Sequence, residues 1–339
     1  MNLRVVDTPT PASKPAKPAS IGHAGERNPG YPLDLDWVGR VRMNRSALER
    51  RAATIGTRRT VKKEWQAAWL LRAITLMDLT TLNSDDTPGR VERLCAKARH
   101  PLTQDILDGY DINELRIVPA AVCVYHSFVP TAVKALEGSG IPVAAVSTAF
   151  PHGLAPVDTK IREIEESVAA GAKEIDIVIE RQMVLTGDWQ GLYDQIRAFR
   201  KACGDAHIKT ILATGELGTL RKVMQASMVC MMAGADFIKT STGKEPVNAT
   251  LPVSLVMVRA IREYYERTGH KVGFKPAGGI RTAKQSLDWL ILIKEELGDD
   301  WTRPNLFRIG ASSLLTDIER QLEFFLTGRY SAAYRHPMP

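Results

Sequence analysis

Cysteine is scarce and scattered in this sequence: there are four in 339 residues, Cys95, Cys123, Cys203 and Cys230, with no CxxC pair among them. That excludes a CxxC redox or metal pair and leads us to expect reduced thiols acting as small hydrophobes, with an intracellular, cytoplasmic address. Long apolar runs are missing too. The longest, Ile141 to Ala149 and the stretch around Met228 to Ala235, fall well short of the roughly 18 residues that span a bilayer. The seven histidines form no HExxH and no paired spacing with Cys, Asp or Glu, so no metal site is expected; no cofactor is expected either. What is present, 44% hydrophobic and 24% charged residues, is the balance of a globular chain.

The net charge of +7 suggests a nucleic-acid partner until its location is considered. Residues 1–63 hold 13 Lys and Arg against 5 Asp and Glu, and the remaining 276 hold 32 against 33. A basic arm on a neutral body argues against a nucleic-acid-binding fold. Six of the 19 prolines fall in the first 32 residues, with few large apolar groups beside them, so a flexible arm is expected over 1–35. No compact apolar segment with a cleavage site occurs there, which argues against a secretory signal, and the prolines disfavour an amphipathic transit peptide. An Arg-rich helical extension is expected over 36–69, a main domain over 70–328 and a tail over 329–339.

From about residue 70, short apolar runs alternate with helical segments. Eight strands are predicted: Ala73 to Met77, Ala120 to Tyr125, Val143 to Ser147, Glu174 to Ile179, Ile208 to Ala213, Asp236 to Thr240, Val272 to Lys275 and Phe307 to Gly310. Amphipathic stretches such as 158–170, 217–233, 252–267 and 282–297 lie between them. Several strands, Val143-Ala-Ala-Val-Ser147 for example, are apolar throughout, as in a parallel sheet covered on both faces. Eight βα units over about 260 residues fit an α/β fold of the (β/α)8 TIM-barrel type, with the flexible arm and extra N-terminal helices before it. An open doubly wound sheet is the alternative, but no GxGxxG turn follows the first strand.

A barrel of this kind carries its site where strands end and βα loops begin. Asp78 follows the first strand, Asp176 lies in the fourth, Lys239 ends the sixth and Lys275 ends the seventh. A lone lysine at a strand end usually snorkels to water. Two on neighbouring strands are costly to keep charged together, and burial plus a second ammonium lowers the pKa of Lys239 toward the neutral amine that attacks carbonyl carbon. Asp176, flanked by isoleucine and valine, needs a cationic partner, either for chemistry or as a buried ion pair that only fixes the barrel. Asp78 reads equally as a helix cap or turn residue. Ser241-Thr242-Gly243, Gly278-Gly279 and Gly310-Ala-Ser312-Ser313 follow the last three strands, where backbone N–H groups and a helix N-terminus commonly hold phosphate. His126 and His152 read as rim residues, and Met224, Met228, Met231 and Met232 as core at helical spacing.

The runs Asp236-Phe-Ile-Lys-Thr-Ser-Thr-Gly-Lys244 and Val272-Gly-Phe-Lys-Pro-Ala-Gly-Gly-Ile-Arg281 resemble deoxyribose-phosphate aldolase, a family of class I aldolases. Supporting segments are 76–82, Ser147-Thr-Ala-Phe-Pro-His-Gly153, 171–176, 214–217 and 307–314. The resemblance implies a metal-free barrel that cleaves 2-deoxy-D-ribose 5-phosphate. Carried over by motif, Lys239 is the Schiff-base lysine, Lys275 the lysine that perturbs it, Asp176 the proton-relay carboxylate and Asp78 a partner of Lys275. Thr80, Thr242, Gly243, Lys244, Gly278, Gly279, Ser312 and Ser313 form the substrate and phosphate set. The family's short members often end in a tyrosine thought to assist proton transfer, and Tyr330 and Tyr334 are the candidates here.

The expected partners are small phosphorylated sugars and aldehydes, with no nucleic acid and no membrane. Assembly as a homo-oligomer, a dimer or larger, is also expected. Two other classes remain open from the residues alone: a Schiff-base barrel acting on a ketose phosphate, and a basic-armed scaffold without catalysis.

Overall fold

The computed structural model describes residues 27–58 and 60–338. Eight parallel strands run in the order β7-β6-β5-β4-β3-β2-β1-β8. They are β1 (Met77–Thr80), β2 (Ala121–Tyr125), β3 (Val143–Ser147), β4 (Glu174–Val178), β5 (His207–Ile211), β6 (Phe237–Lys239), β7 (Gly273–Lys275) and β8 (Ile309–Ala311). Bridges from Phe274 to Phe307 and from Ala277 to Gly310 draw β7 and β8 together, so the sheet curls into a nearly closed barrel ringed by helices.

Seven of the predicted strands lie within two residues of their observed bounds. The first is corrected. Residues 73–75 end the helix Lys63–Thr75, and the strand begins only at Met77. The buried positions in that helix, Ala67, Leu70, Ala73 and Ile74, repeat every three to four residues, which is the helical period.

The helices end and begin where side chains dictate. Thr87 caps Pro88–Arg99, with proline in its first turn. Thr282 and Gln285 form a reciprocal capping box at Ala283–Leu297. The methionine-rich helix Leu220–Met232 buries every residue from Val223 to Met232. The four cysteines are free and buried, and among the described residues no helix is long and apolar enough to cross a membrane.

The expectation of a flexible arm reaching residue 35 is corrected for its described part, residues 27–35; residues 1–26 lie outside the described residues. Asn28 is buried: its backbone N–H donates to Asp236 Oδ1 at 3.0 Å, and its Nδ2 donates to the carbonyls of Met231 and Ala235 at 2.7 and 2.9 Å. Trp37 stacks on Tyr264, beneath the Arg267 guanidinium at 4.0 Å. Leu48 and Ile55 are buried as well, whereas Trp65 is 68% exposed. The N-terminal helices Leu35–Arg40, Arg45–Ala53, Ile55–Arg58 and Lys63–Thr75 extend to residue 75, beyond the expected boundary at 69.

Candidate active site

Parallel pairing fixes which residues face the barrel axis. Asp176 of β4 pairs with Lys209 of β5, Ile211 of β5 with Lys239 of β6, and Lys239 with Lys275 of β7. Residues two apart on a strand share a face, so Glu174 lies one layer below Asp176, and Phe237 one layer below Lys239. Phe237 fits because its neighbour is Gly273, where a Cβ would stand 2.3 Å from the ring.

Seven charged groups fill the interior, and all are almost wholly buried. Asp176 Oδ2 stands 2.8 Å from Lys239 Nζ and 2.7 Å from Lys275 Nζ, while Asp176 Oδ1 accepts from Lys209 Nζ at 2.9 Å. Lys275 Nζ is also 2.5 Å from Asp78 Oδ2. Below them Lys209 meets Glu174 Oε2 at 2.5 Å, and Arg308 bridges Asp78 Oδ1 at 2.6 Å and Glu174 Oε1 at 2.8 Å. The motif reading does not single out Lys209, Glu174 or Arg308. Their signal is a charged residue inside an apolar strand run, as in His207-Ile-Lys-Thr-Ile211.

The electrostatics divide the cations. Burial would lower Lys275, but Asp176 and Asp78 raise it well above the usual lysine value. Lys209 is likewise raised by Asp176 and Glu174 against its burial, and Arg308 by Glu174 and Asp78. Lys239 goes the other way: burial lowers it, Asp176 opposes, and Lys275 lowers it further. Burial would raise the carboxyls, yet Lys209, Lys239 and Lys275 hold Asp176 well below its ordinary range, and the cations around Asp78 and Glu174 lower those too.

A cavity of about 530 Å³ opens above this cluster, with Lys239 in its wall. Thr80, Thr242, Gly243, Lys244, Gly278, Gly279, Ser312 and Ser313 all line it, so the structure gathers the expected set into one place. Lys275, Asp176 and Asp78 lie behind Lys239 and do not line it. Gly278 (φ +82°) has no alternative, because a Cβ there would meet the Asn248 side chain at 2.7 Å. Ser312 and Ser313 open the helix Leu314–Thr327, whose free N–H groups favour an anion. Arg90, Arg281 and Met338 also line the cavity, and the motif reading does not single them out.

Tyr330 and Tyr334 do not line it. Tyr330 stacks on Phe324 and donates to Gln321 Oε1, and Tyr334 is 86% exposed. His152 and His126 are both exposed, His126 3.3 Å from Glu163, so both remain at the rim. Among the described residues no cluster of three His, Cys, Asp or Glu residues has metal-binding geometry.

Comparison with known proteins gives concordant findings. The model of the DeoC/LacD family aldolases matches residues 72–317. The chain is 59% identical over 313 residues to the deoxyribose-phosphate aldolase of Homo sapiens, covering 92% of this chain and 98% of that one. It is 60% identical over 311 residues to the deoxyribose-phosphate aldolase of Mus musculus, covering 91% and 98%. The tetrameric structure of deoxyribose phosphate aldolase from Aeropyrum pernix superposes with a TM-score of 0.58 at 20% identity, covering 83% of this chain and 99% of that one, a likeness that speaks for the fold alone.

Proposed function

The chain belongs to the DeoC/LacD family of aldolases, and on that premise we propose that it cleaves 2-deoxy-D-ribose 5-phosphate, reversibly, to acetaldehyde and D-glyceraldehyde 3-phosphate through a Schiff base on Lys239. The observation that carries this reading is the placement of Lys239. Of the four interior cations, it is the one at the cavity wall and the one whose pKa is driven down. With every group charged, the interior would hold Lys209, Lys239, Lys275 and Arg308 against Asp78, Glu174 and Asp176. A neutral Lys239 balances them.

The roles follow from position. Lys239 Nζ adds to C1 of the open-chain sugar, and loss of water gives an iminium that accepts the electrons of the C2–C3 bond. Asp176, 2.8 Å from that nitrogen, takes the 3-hydroxyl proton through a water as the bond breaks. Protonation of the resulting enamine at C2 and hydrolysis release acetaldehyde and restore the lysine. Lys275, tied to Asp78 and Asp176, stays charged and keeps Lys239 neutral. Thr242, Gly243, Lys244, Gly278, Gly279, Ser312 and Ser313 hold the phosphate, and Thr80 borders the sugar, so binding energy far from the breaking bond fixes its register.

No cofactor enters this scheme. Work on small phosphorylated sugars, a role in deoxyribose catabolism, a cytoplasmic address and assembly as a homo-oligomer complete the reading.

Borohydride reduction in the presence of acetaldehyde, followed by peptide mass mapping, tests it. A two-carbon adduct on Lys239 is expected, together with loss of that adduct and of turnover in a folded Lys239→Ala. Adducts spread over surface lysines with Lys239 unmodified would refute it.

A further inference from the structure

The loops that follow β3, β4, β5 and β6 converge on one side chain outside the cavity, that of Arg181. Its Nη1 donates to the His152 carbonyl at 2.6 Å and its Nη2 to the Pro151 carbonyl at 3.0 Å. Nε lies 2.5 Å from Glu216 Oε2, and Nη2 lies 3.9 Å from Glu245 Oε1. Glu245 is the partner that leads back to the substrate. Its side chain is 1% exposed, and both its carboxylate oxygens accept the Thr242 N–H at 3.1 Å. Thr242 Oγ1 in turn accepts the Lys244 N–H at 3.1 Å. Thr242, Gly243 and Lys244 are cavity-lining residues.

A carboxylate this buried needs a counter-charge, and among the described residues the cation paired with Glu245 is Arg181. Without it, burial of an uncompensated charge would drive the Glu245 side chain toward water and release the Thr242 N–H. The backbone beyond would stay in place, because Asn248 Nδ2 donates to the Glu245 carbonyl at 2.9 Å. The relaxation is therefore confined to 242–244. We propose that Arg181 is a positioning residue which, through Glu245, sets the affinity of the 242–244 loop for the phosphate end of the substrate. This rests on the phosphorylated-sugar reading above.

The test compares wild type, R181M, E245Q and the double variant. Three measurements are made: steady-state kinetics on 2-deoxyribose 5-phosphate and on unphosphorylated 2-deoxyribose, and calorimetric binding of inorganic phosphate. R181M is expected to raise KM for the phosphorylated sugar and Kd for phosphate about ten-fold, the scale of one lost charge-assisted hydrogen bond. Its kcat and its handling of the unphosphorylated sugar should stay near wild type. The neutral amide that E245Q introduces keeps an acceptor for the Thr242 N–H without needing a cation, so adding E245Q to R181M should restore much of the lost affinity. A purely structural Arg181 would impair both sugars alike, or would leave the double variant no better than R181M, and either result overturns the proposal. Should R181M fail to fold, R181K with and without E245Q makes the same comparison. A wild type that binds phosphate but cleaves no 2-deoxyribose 5-phosphate would refute the proposed function and leave the phosphate arm to decide the role of Arg181.

Discussion

Lys239 and Lys275 occupy paired positions on adjacent parallel strands and share one carboxylate oxygen, Asp176 Oδ2, at 2.8 and 2.7 Å. The sharing is unequal in effect. Lys275 has a second carboxylate in Asp78 and is raised, whereas Lys239 has Asp176 alone and is lowered by burial and by its neighbour. Two identical side chains one strand apart are thus shifted in opposite directions.

Replacing Lys275 with Leu removes the neighbouring cation and raises the pKa of Lys239. Attack needs the free amine, so the acid limb of the kcat/KM profile should move to higher pH. Rates measured across pH, with imine trapping at each point, check this. Lower activity with an unmoved limb would show that Lys275 acts by orienting Asp176 instead.

Asp176→Asn separates imine formation from proton transfer. The anion that raises Lys239 is gone, so trapping with acetaldehyde should persist and extend to lower pH, while kcat should fall by roughly 10²–10⁴-fold, the usual contribution of a positioned base. Trapping lost in step with turnover would contradict the division of roles.

The fold was largely legible because a strand covered on both faces is apolar throughout and the helices between carry a clear period. The approach to Met77 was the exception: Leu70 to Met77 is apolar enough for a strand, and only its three-to-four spacing of buried positions marks a helix. Lys239, Lys275 and the small-residue loops were legible because they end or follow their strands, and Asp176 because a carboxylate flanked by isoleucine and valine needs a cationic partner. Glu174, Lys209 and Arg308 were not, since the face a charge within a strand run takes depends on the register of all eight strands. The absence of a tyrosine from the cavity likewise depends on how the tail packs, with buried His336 set between Glu319 and Glu323.

Glu174→Gln should cost about 3–5 kcal/mol, because it leaves Arg308 and Lys209 buried with one carboxylate fewer. For a domain of this size that is a Tm loss of roughly 5–9 °C at neutral pH. The acid dependence carries its own sign. Asp78, Glu174 and Asp176 have folded pKa values below their unfolded ones, so their stabilisation is whole above the unfolded carboxylate range and is lost as pH falls toward the lowered values. The variant should therefore lose less stability than wild type on acidification. Thermal melts from pH 7 down to the onset of acid unfolding read both effects.

Ser313→Asp places a carboxylate at the N-terminus of the helix Leu314–Thr327, where it favours the helix but repels a phosphate dianion in the cavity. Binding of the phosphorylated sugar should weaken far more than that of unphosphorylated deoxyribose, with Tm unchanged or higher. Equal losses for both sugars would place the phosphate elsewhere.

Asn28 tests how far the N-terminal segment belongs to the body. Its amide is fully used: Nδ2 donates to two carbonyls, and Oδ1 accepts from Gly30 N–H and the Tyr264 hydroxyl at 3.1 and 3.0 Å. Asn28→Ala should cost about 1–3 kcal/mol for each buried partner left without a bond. The kcat/KM values should not change, because among the described residues none of 27–35 lines the cavity. Asn28→Asp is the sharper variant. It conserves shape but points an acceptor at the Met231 and Ala235 carbonyls and sets a second carboxylate near Asp236, so it should lower Tm at least as much as alanine does. Melts and kinetics of both, beside a deletion of residues 1–26 that spares Asn28 and is expected to change neither, separate anchoring from catalysis. If the aspartate variant proved milder than the alanine, side-chain volume rather than hydrogen bonding would be what fastens this segment to the barrel.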